Sequence, residues 1–250
     1  MKYEELFQWN SERFYKEYVG GKENGLLINA DCLKVIENLD DTSIKLLLTD
    51  PPYGIDYQSQ WKKNKDEWKP KIINDKSPFI DFISPVLPKI TNDGGGYIFT
   101  RWDVQQQFID EMLKNNVKPK NVIIWNKGVH GMGDLKRAYG SKYESIIWYA
   151  NKGFRFSNKR PSDILTHQRV TPNKLVHPNE KPISLMEELI LNSTNEGDIV
   201  FDPFADSCST LVACKRTNRK FLGVELDKNY FEIGCKRLKK VSSCGNERTV

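Results

Sequence analysis

Leu46-Leu47-Leu48-Thr49-Asp50-Pro51-Pro52-Tyr53-Gly54 is the stretch from which the rest of the chain is read. An apolar run of strand length ends abruptly in an acid, two prolines, an aromatic and a glycine. The run predicts a buried strand. Neither proline can continue a ladder, because each lacks an N–H and has a fixed φ. Proline also keeps the residue before it out of the helical region. Asp50 is therefore held extended at the carboxyl end of a strand, Tyr53 follows on a stiff turn, and Gly54 lets the chain leave.

These residue types suit one kind of chemistry. The exocyclic amino group of a nucleobase is a poor nucleophile, because its lone pair is delocalised into the ring. A carboxylate and a carbonyl that accept its two N–H bonds favour a more tetrahedral nitrogen, and an aromatic face holds the base flat beside them. Asp50, the Pro51 carbonyl and the Tyr53 ring match those needs, with Pro52 adding rigidity that keeps the acceptors preorganised. The plainer alternative is a Pro-Pro turn after a core strand, with Asp50 as a turn carboxylate.

A second set of residues lies far down the chain. Asp198-Ile199-Val200-Phe201 predicts a short buried strand ending in Asp202-Pro203-Phe204-Ala205-Asp206-Ser207-Cys208-Ser209-Thr210, where a helix opens. Some twenty residues on, strand 220–225 ends in Glu225, an acid placed to accept from both hydroxyls of a nucleotide ribose. Asp227 then reads as a helix N-cap. Ahead of both comes His177-Pro178-Asn179-Glu180-Lys181-Pro182, a helix-entry turn.

Together these motifs resemble the amino-group DNA methyltransferases, over residues 25–238. Thr49-Asp50-Pro51-Pro52-Tyr53-Gly54 is similar to the catalytic motif of that family, in the form with a leading Asp that is typical of adenine enzymes; cytosine-amino enzymes more often carry Ser there. The catalytic motif precedes the cofactor loop, as in the beta group. The resemblance implies an α/β methyltransferase fold: a seven-stranded, mostly parallel sheet with its last strand antiparallel, helices on both faces and circularly permuted motif order. It implies S-adenosyl-L-methionine as cofactor and double-stranded DNA as substrate, with a flipped-out adenine methylated at N6. It assigns to the cofactor Asp31 and Cys32 near the adenine, and His177 and Lys181, the lysine as partner of the methionine carboxylate. It adds the loop residues Asp202, Pro203, Phe204, Ala205, Ser207 and Thr210, and Glu225 with Leu226. Asp31 reads equally as a helix N-cap. The chain departs from the family where Asp206 and Cys208 replace glycines, and Asp206 is expected to crowd the methionine carboxylate and weaken cofactor binding.

The 250 residues predict one methyltransferase domain over 1–250. Cys32, Cys208, Cys214, Cys235 and Cys244 make an odd count with no CxxC pair. That fits a reduced, cytoplasmic chain without a zinc site. Neither a membrane-length apolar run nor a signal peptide is read. Residues 3–18, with aromatics at helical spacing and Gly20-Gly21 after them, predict a helix. Residues 55–78 form a lysine-rich stretch with Trp61 and Trp68, either a flap over DNA or a solvated loop. Asn92-Asp93-Gly94-Gly95-Gly96 predicts a turn into strand 97–100, followed by helix 104–115 and strand 122–125. Residues 241–250 read as a polar tail.

Positive charge is concentrated in one segment. Residues 127–176 hold ten basic and three acidic residues, a net of +7 against +5 for the whole chain. We read it as a DNA-recognition insert, crossed by one strand of the main sheet near 144–149. Lys127, Lys136, Arg137, Lys142, Arg155, Lys159, Arg160 and Arg169 are its candidate phosphate contacts, the alternative being an ordinary basic surface. Other readings of the chain are a cytosine-N4 enzyme, a dehydrogenase, a methyltransferase for RNA or protein, or a degenerate relative that binds DNA without methylating it. The dehydrogenase lacks its GxGxxG. A homodimer and a cognate restriction enzyme are further expected partners.

Overall fold

The computed structural model describes residues 1–6, 13–54, 77–130, 136–157, 159–170 and 180–241. His177, residues 55–76 of the lysine-rich stretch and residues 242–250 of the expected tail lie outside them. A single sheet organises the rest. Its strands are β1 (Phe14–Val19), β2 (Lys22–Asn29), β3 (Ile44–Thr49), β4 (Ile90–Thr100), β5 (Asn121–Asn126), β6 (Tyr143–Ala150), β7 (Ile164–Thr166), β8 (Ile199–Asp202) and β9 (Lys220–Glu225). In space they run β1-β2-β9-β8-β3-β4-β6-β5-β7.

From β2 to β4 all neighbours are parallel, and β6 runs antiparallel to both β4 and β5. The seven strands from β2 to β5 make up the expected mostly parallel sheet, but its antiparallel member is β6, between β4 and β5, and not the last strand, since β9 runs parallel to β2 and β8. Two strands extend it beyond that expectation: β1 pairs antiparallel with β2 at one edge, and the short β7 pairs with β5 at the other.

Residues alternate across the sheet, so each strand feeds two cores. Leu46 and Leu48 pack on one face with Leu189, Ile190, Leu211 and Phe231, and Leu47 packs on the other with Val35, Ile36, Phe108 and Met112. The first face carries α5 (Ile183–Ser193), α6 (Ser209–Arg216) and α7 (Lys228–Lys240). The second carries α2 (Cys32–Asn38), α3 (Ile83–Val86) and α4 (Gln105–Lys114). With both faces covered, the central strands are apolar throughout: Leu46, Leu47 and Leu48 are all fully buried.

Two further expectations are corrected. Within the helix predicted over residues 3–18, the described residues hold the helix α1 (Tyr3–Leu6) and, in place of further helix, the strand β1; residues 7–12 lie outside them. Gly20 and Gly21 have φ of 58° and 77°, the two left-handed residues of a tight hairpin turn, so they reverse a strand instead of ending a helix. The predicted turn at Gly94-Gly95-Gly96 is part of β4. Gly95 and Gly96 pair with Leu46 and Leu47 on one side and with Ala150 and Tyr149 on the other. A side chain at Gly96 would overlap the Tyr149 ring.

The strand order reverses between β3 and β8. The chain leaves β3 for β4 on one side, and leaves β8 for β9 on the other. Ligands collect outside the carboxyl ends of such a pair. Among the described residues, no helix is long and apolar enough to cross a membrane.

Candidate active site

The two central strands are tied together where they end. Thr49 Oγ1 donates to Asp202 Oδ1 at 3.0 Å, joining the last residue of β3 to the last of β8. Asp202 Oδ1 also accepts from the Phe204 amide at 3.1 Å, which begins the loop into α6. Burial pushes the Asp202 carboxyl up to about 7, against the opposing bonds from Thr210, the Phe204 amide and Thr49.

The turn after β3 is fixed by its surroundings. The Phe79 amide donates to the Pro52 carbonyl at 3.0 Å, and Tyr53 bridges to Pro78. Gly54 has a φ of 76°, and a Cβ there would meet the Ser77 backbone at 2.7 Å. The turn presents Asp50, whose side chain is 11% exposed, and Tyr53, which is buried. The Tyr53 hydroxyl donates to Asp50 Oδ1, and Lys181 Nζ donates to Asp50 Oδ2. Lys181 is itself buried, with its ammonium 5.9 Å from the Tyr53 ring centroid and 5.2 Å from that of Phe99. The lysine expected at a cofactor carboxylate thus stands on the Asp50 carboxylate. Burial works against its charge, but Asp50 and Glu144 more than offset this and hold the ammonium above the usual lysine range.

The loop between β8 and α6 turns on the two residues that replace glycines. Asp206 has a φ of 45° and Cys208 a φ of 65°, both in the left-handed region that favours glycine. The Ala205 amide donates to the Val224 carbonyl at 2.8 Å, anchoring the loop to β9. Cys208 is fully buried, and its sulfur fills the space beside Gly234 of α7, where a Cβ would overlap it. The Ser207 carbonyl and hydroxyl both accept from Arg237, at 2.7 and 2.9 Å.

Glu225 closes the crevice from β9. Its Oε2 accepts from the Asp206 amide at 2.8 Å and its Oε1 from the Asp227 amide at 2.7 Å. Burial pushes its carboxyl up to about 7, opposed by those two bonds. Asp206 is half-buried, and burial together with Glu225, Asp50 and Asp202 holds its carboxyl well above the ordinary carboxylate range. The crevice thus gathers carboxylates from β3, β8, the α6 loop and β9.

The other expected site residues have these surroundings. Asp31 caps α2, accepting from the Leu33 amide at 2.9 Å, and Cys32 is buried in the first turn. Pro203 and Ala205 are buried, and Phe204 packs edge-on against Phe82, with ring centroids 5.1 Å apart. Thr210 is buried behind Asp202, and Leu226 is 47% exposed at the rim. Asn29 Nδ2 holds the carbonyls of Glu225 and Leu226 at 2.8 and 3.0 Å.

Of the expected phosphate contacts, Lys136, Arg137, Lys142, Arg155, Lys159, Arg160 and Arg169 are exposed. Lys127 differs: its side chain is 15% exposed, and its Nζ lies 3.3 Å from Glu144 Oε1. Tyr139 and Trp102 stand fully and largely exposed. Sequence reasoning missed Glu144, Thr49 and Arg237. Each acts through a partner far along the chain, and no local pattern marks such a pairing.

Residues 44–236 match the DNA methylase family, a span of most of the chain that takes in both halves of the crevice. The chain belongs to that family. This DNA methylase is 28% identical over 260 residues to "DNA adenine methyltransferase YhdJ" of Escherichia coli K12, covering 87% of this chain and 84% of that one. Among solved structures it is similar to M1.HpyAVI in complex with SAM, with a TM-score of 0.64, 27% identity, and coverage of 84% of this chain and 98% of that one. The PvuII cytosine-N4-specific DNA methyltransferase superposes with a TM-score of 0.70 over 88% of this chain and 89% of that one; at 17% identity the likeness is one of fold.

Proposed function

We propose that this DNA methylase transfers a methyl group from S-adenosyl-L-methionine to the N6 amino group of adenine in double-stranded DNA. The observation that carries the reading is the placement of Asp50. A carboxylate stiffened by two prolines stands beside the Tyr53 ring, in the same crevice as Asp202 and Glu225. The leading Asp favours adenine over cytosine, and the related E. coli protein is named an adenine methyltransferase. The fold alone does not distinguish the bases, since the PvuII enzyme shares it.

The crevice suits the cofactor on its own chemistry. Each oxygen of Glu225 accepts one backbone amide, which leaves lone pairs for the two ribose hydroxyls. The surrounding carboxylates raise one another's proton affinity, and a ligand with a sulfonium and an ammonium group relieves that repulsion. When bound, the cofactor supplies an electrophilic methyl group.

The chain's residues do the rest. Tyr53 stacks on the flipped adenine. Asp50 and the Pro51 carbonyl accept hydrogen bonds from its two amino N–H groups, drawing the nitrogen toward tetrahedral geometry. The fixed turn holds these acceptors in line, so alignment provides much of the rate. The DNA lies across the segment 127–176, with its exposed basic residues on phosphates and Tyr139 and Trp102 available for stacking.

Modification-sensitive sequencing tests the reading. DNA from a methylation-deficient host expressing the chain should carry N6-methyladenine at one short recurring sequence. N4-methylcytosine alone, or no modification, would refute the assignment.

A further inference from the structure

Glu144 opens β6, the antiparallel strand, so it stands at the same end of the sheet as Asp50. Its Oε1 is 3.3 Å from Lys127 Nζ, and its Oε2 is 3.4 Å from Lys181 Nζ. That second oxygen is buried and, among the described residues, accepts no hydrogen bond. Buried carboxylate oxygens are seldom left so, because the lost hydration is not replaced. One ammonium is thus shared unequally between two carboxylates: Lys181 is bonded to Asp50 and stops just short of Glu144.

In this arrangement both oxygens of Asp50 are engaged, one by the Tyr53 hydroxyl and one by Lys181. A substrate amino group that takes the position Lys181 now holds on Asp50 displaces the ammonium. A buried ammonium pushed off its partner with no second acceptor would be an unpaired charge, which is strongly unfavourable. Here a second acceptor already stands beside it.

We propose that Glu144 is a positioning residue that receives the Lys181 ammonium when the target amino group takes its place on Asp50. Lys127 holds Glu144 steady from the other side, so the carboxylate stays while the lysine moves. The rings of Tyr53 and Phe99 flank the ammonium. In the free chain Lys181 caps the Asp50 carboxylate; in the complex it turns to Glu144, and the oxygen it leaves accepts a hydrogen bond from the amino N–H. The inference rests on the methyl-transfer reading above.

The test compares the parent chain with Glu144→Gln, Glu144→Asp, Lys181→Met and the Glu144→Gln/Lys181→Met double variant. Transfer from tritiated S-adenosylmethionine to unmethylated genomic DNA gives kcat and KM, and calorimetry gives cofactor affinity. Losing a charged hydrogen-bond acceptor, Glu144→Gln should lower kcat by about tenfold to a hundredfold. Cofactor affinity and KM for DNA should stay within about twofold of the parent. Glu144→Asp keeps the charge and should recover part of the rate, which gives an independent reading. In the Lys181→Met background, Glu144→Gln should change kcat by less than about twofold, because its only route of action is gone. A Glu144→Gln variant as fast as the parent would overturn the proposal. So would one that loses cofactor affinity in step with rate, or whose cost multiplies fully with that of Lys181→Met. An inactive parent would overturn both this and the reading it rests on, whereas failure of the Glu144 role alone leaves the parent active.

Discussion

Asp206 shows how a single departure from a motif changes the energetics of a site. Its backbone adopts the left-handed conformation that the family meets with glycine. Its side chain adds a carboxyl to a crevice already holding Asp50, Asp202 and Glu225. Burial and these neighbours hold its carboxyl above the ordinary range, and the side chain adds bulk where glycine has none. Asp206→Gly is expected to tighten S-adenosylmethionine binding by about threefold to tenfold, equivalent to about 1 kcal/mol, as measured by calorimetry. A pH dependence follows from the same cluster. Asp202 and Glu225 titrate near 7 in the folded chain, against 3.8 and 4.5 ordinarily, so between those limits the folded state holds protons that the unfolded chain has released. Stability therefore falls as pH rises through that window. Lys181, raised above 10.5, and Glu144, lowered below 4.5 because Lys181 and Lys127 outweigh the effect of burial, change charge outside it. The ligand-free melting temperature should drop from pH 5 to pH 8, less steeply in Asp206→Gly. At this scale much was legible: Asp50, Asp202 and Glu225 are read from strand ends alone. Glu144 was not, since nothing near it in sequence announces a lysine 37 residues on.

At the scale of elements, α6 and α7 meet at a contact that explains the second departure. The Cys208 sulfur occupies the space left by Gly234, so the side chain missing from α7 makes room for the one added at the head of α6. Gly234→Ala should therefore overpack the contact and destabilise the fold by about 1–3 kcal/mol in denaturant unfolding, and combining it with Cys208→Gly should recover most of that loss. Strand β3 and the elements around β8 and β9 follow directly from apolar runs stopped by acids. Strand β1 was misread because its aromatics suit either period, and Gly20-Gly21 serves as well to end a helix as to turn a hairpin. Strand β4 was cut short because Gly94-Gly95-Gly96 looks like a turn until the Trp148 and Tyr149 rings are seen to lie against it.

For the whole molecule, charge divides into two populations. Lys181 and Lys127 are spent inside, on Asp50 and Glu144. Lys142, Lys159, Arg160 and Arg169 remain exposed. Only the second kind is expected to set the salt dependence of DNA binding. Lys142→Ala and Arg169→Ala should each weaken binding across sequences and reduce the slope of log K against log salt by about 1. Lys127→Ala should leave that slope unchanged and lower turnover. Methyl transfer by this chain depends on a rigid acidic corner presenting fixed acceptors to a poorly nucleophilic amine, and one measurement addresses that dependence most directly. The parent and Asp50→Ala chains are incubated with methyl-labelled S-adenosylmethionine and unmethylated duplex DNA, and the DNA is digested to nucleosides. Label should appear in N6-methyl-2′-deoxyadenosine with the parent and fall by at least about a hundredfold with Asp50→Ala. Undiminished labelling by Asp50→Ala, or label found only in cytosine, would contradict the account.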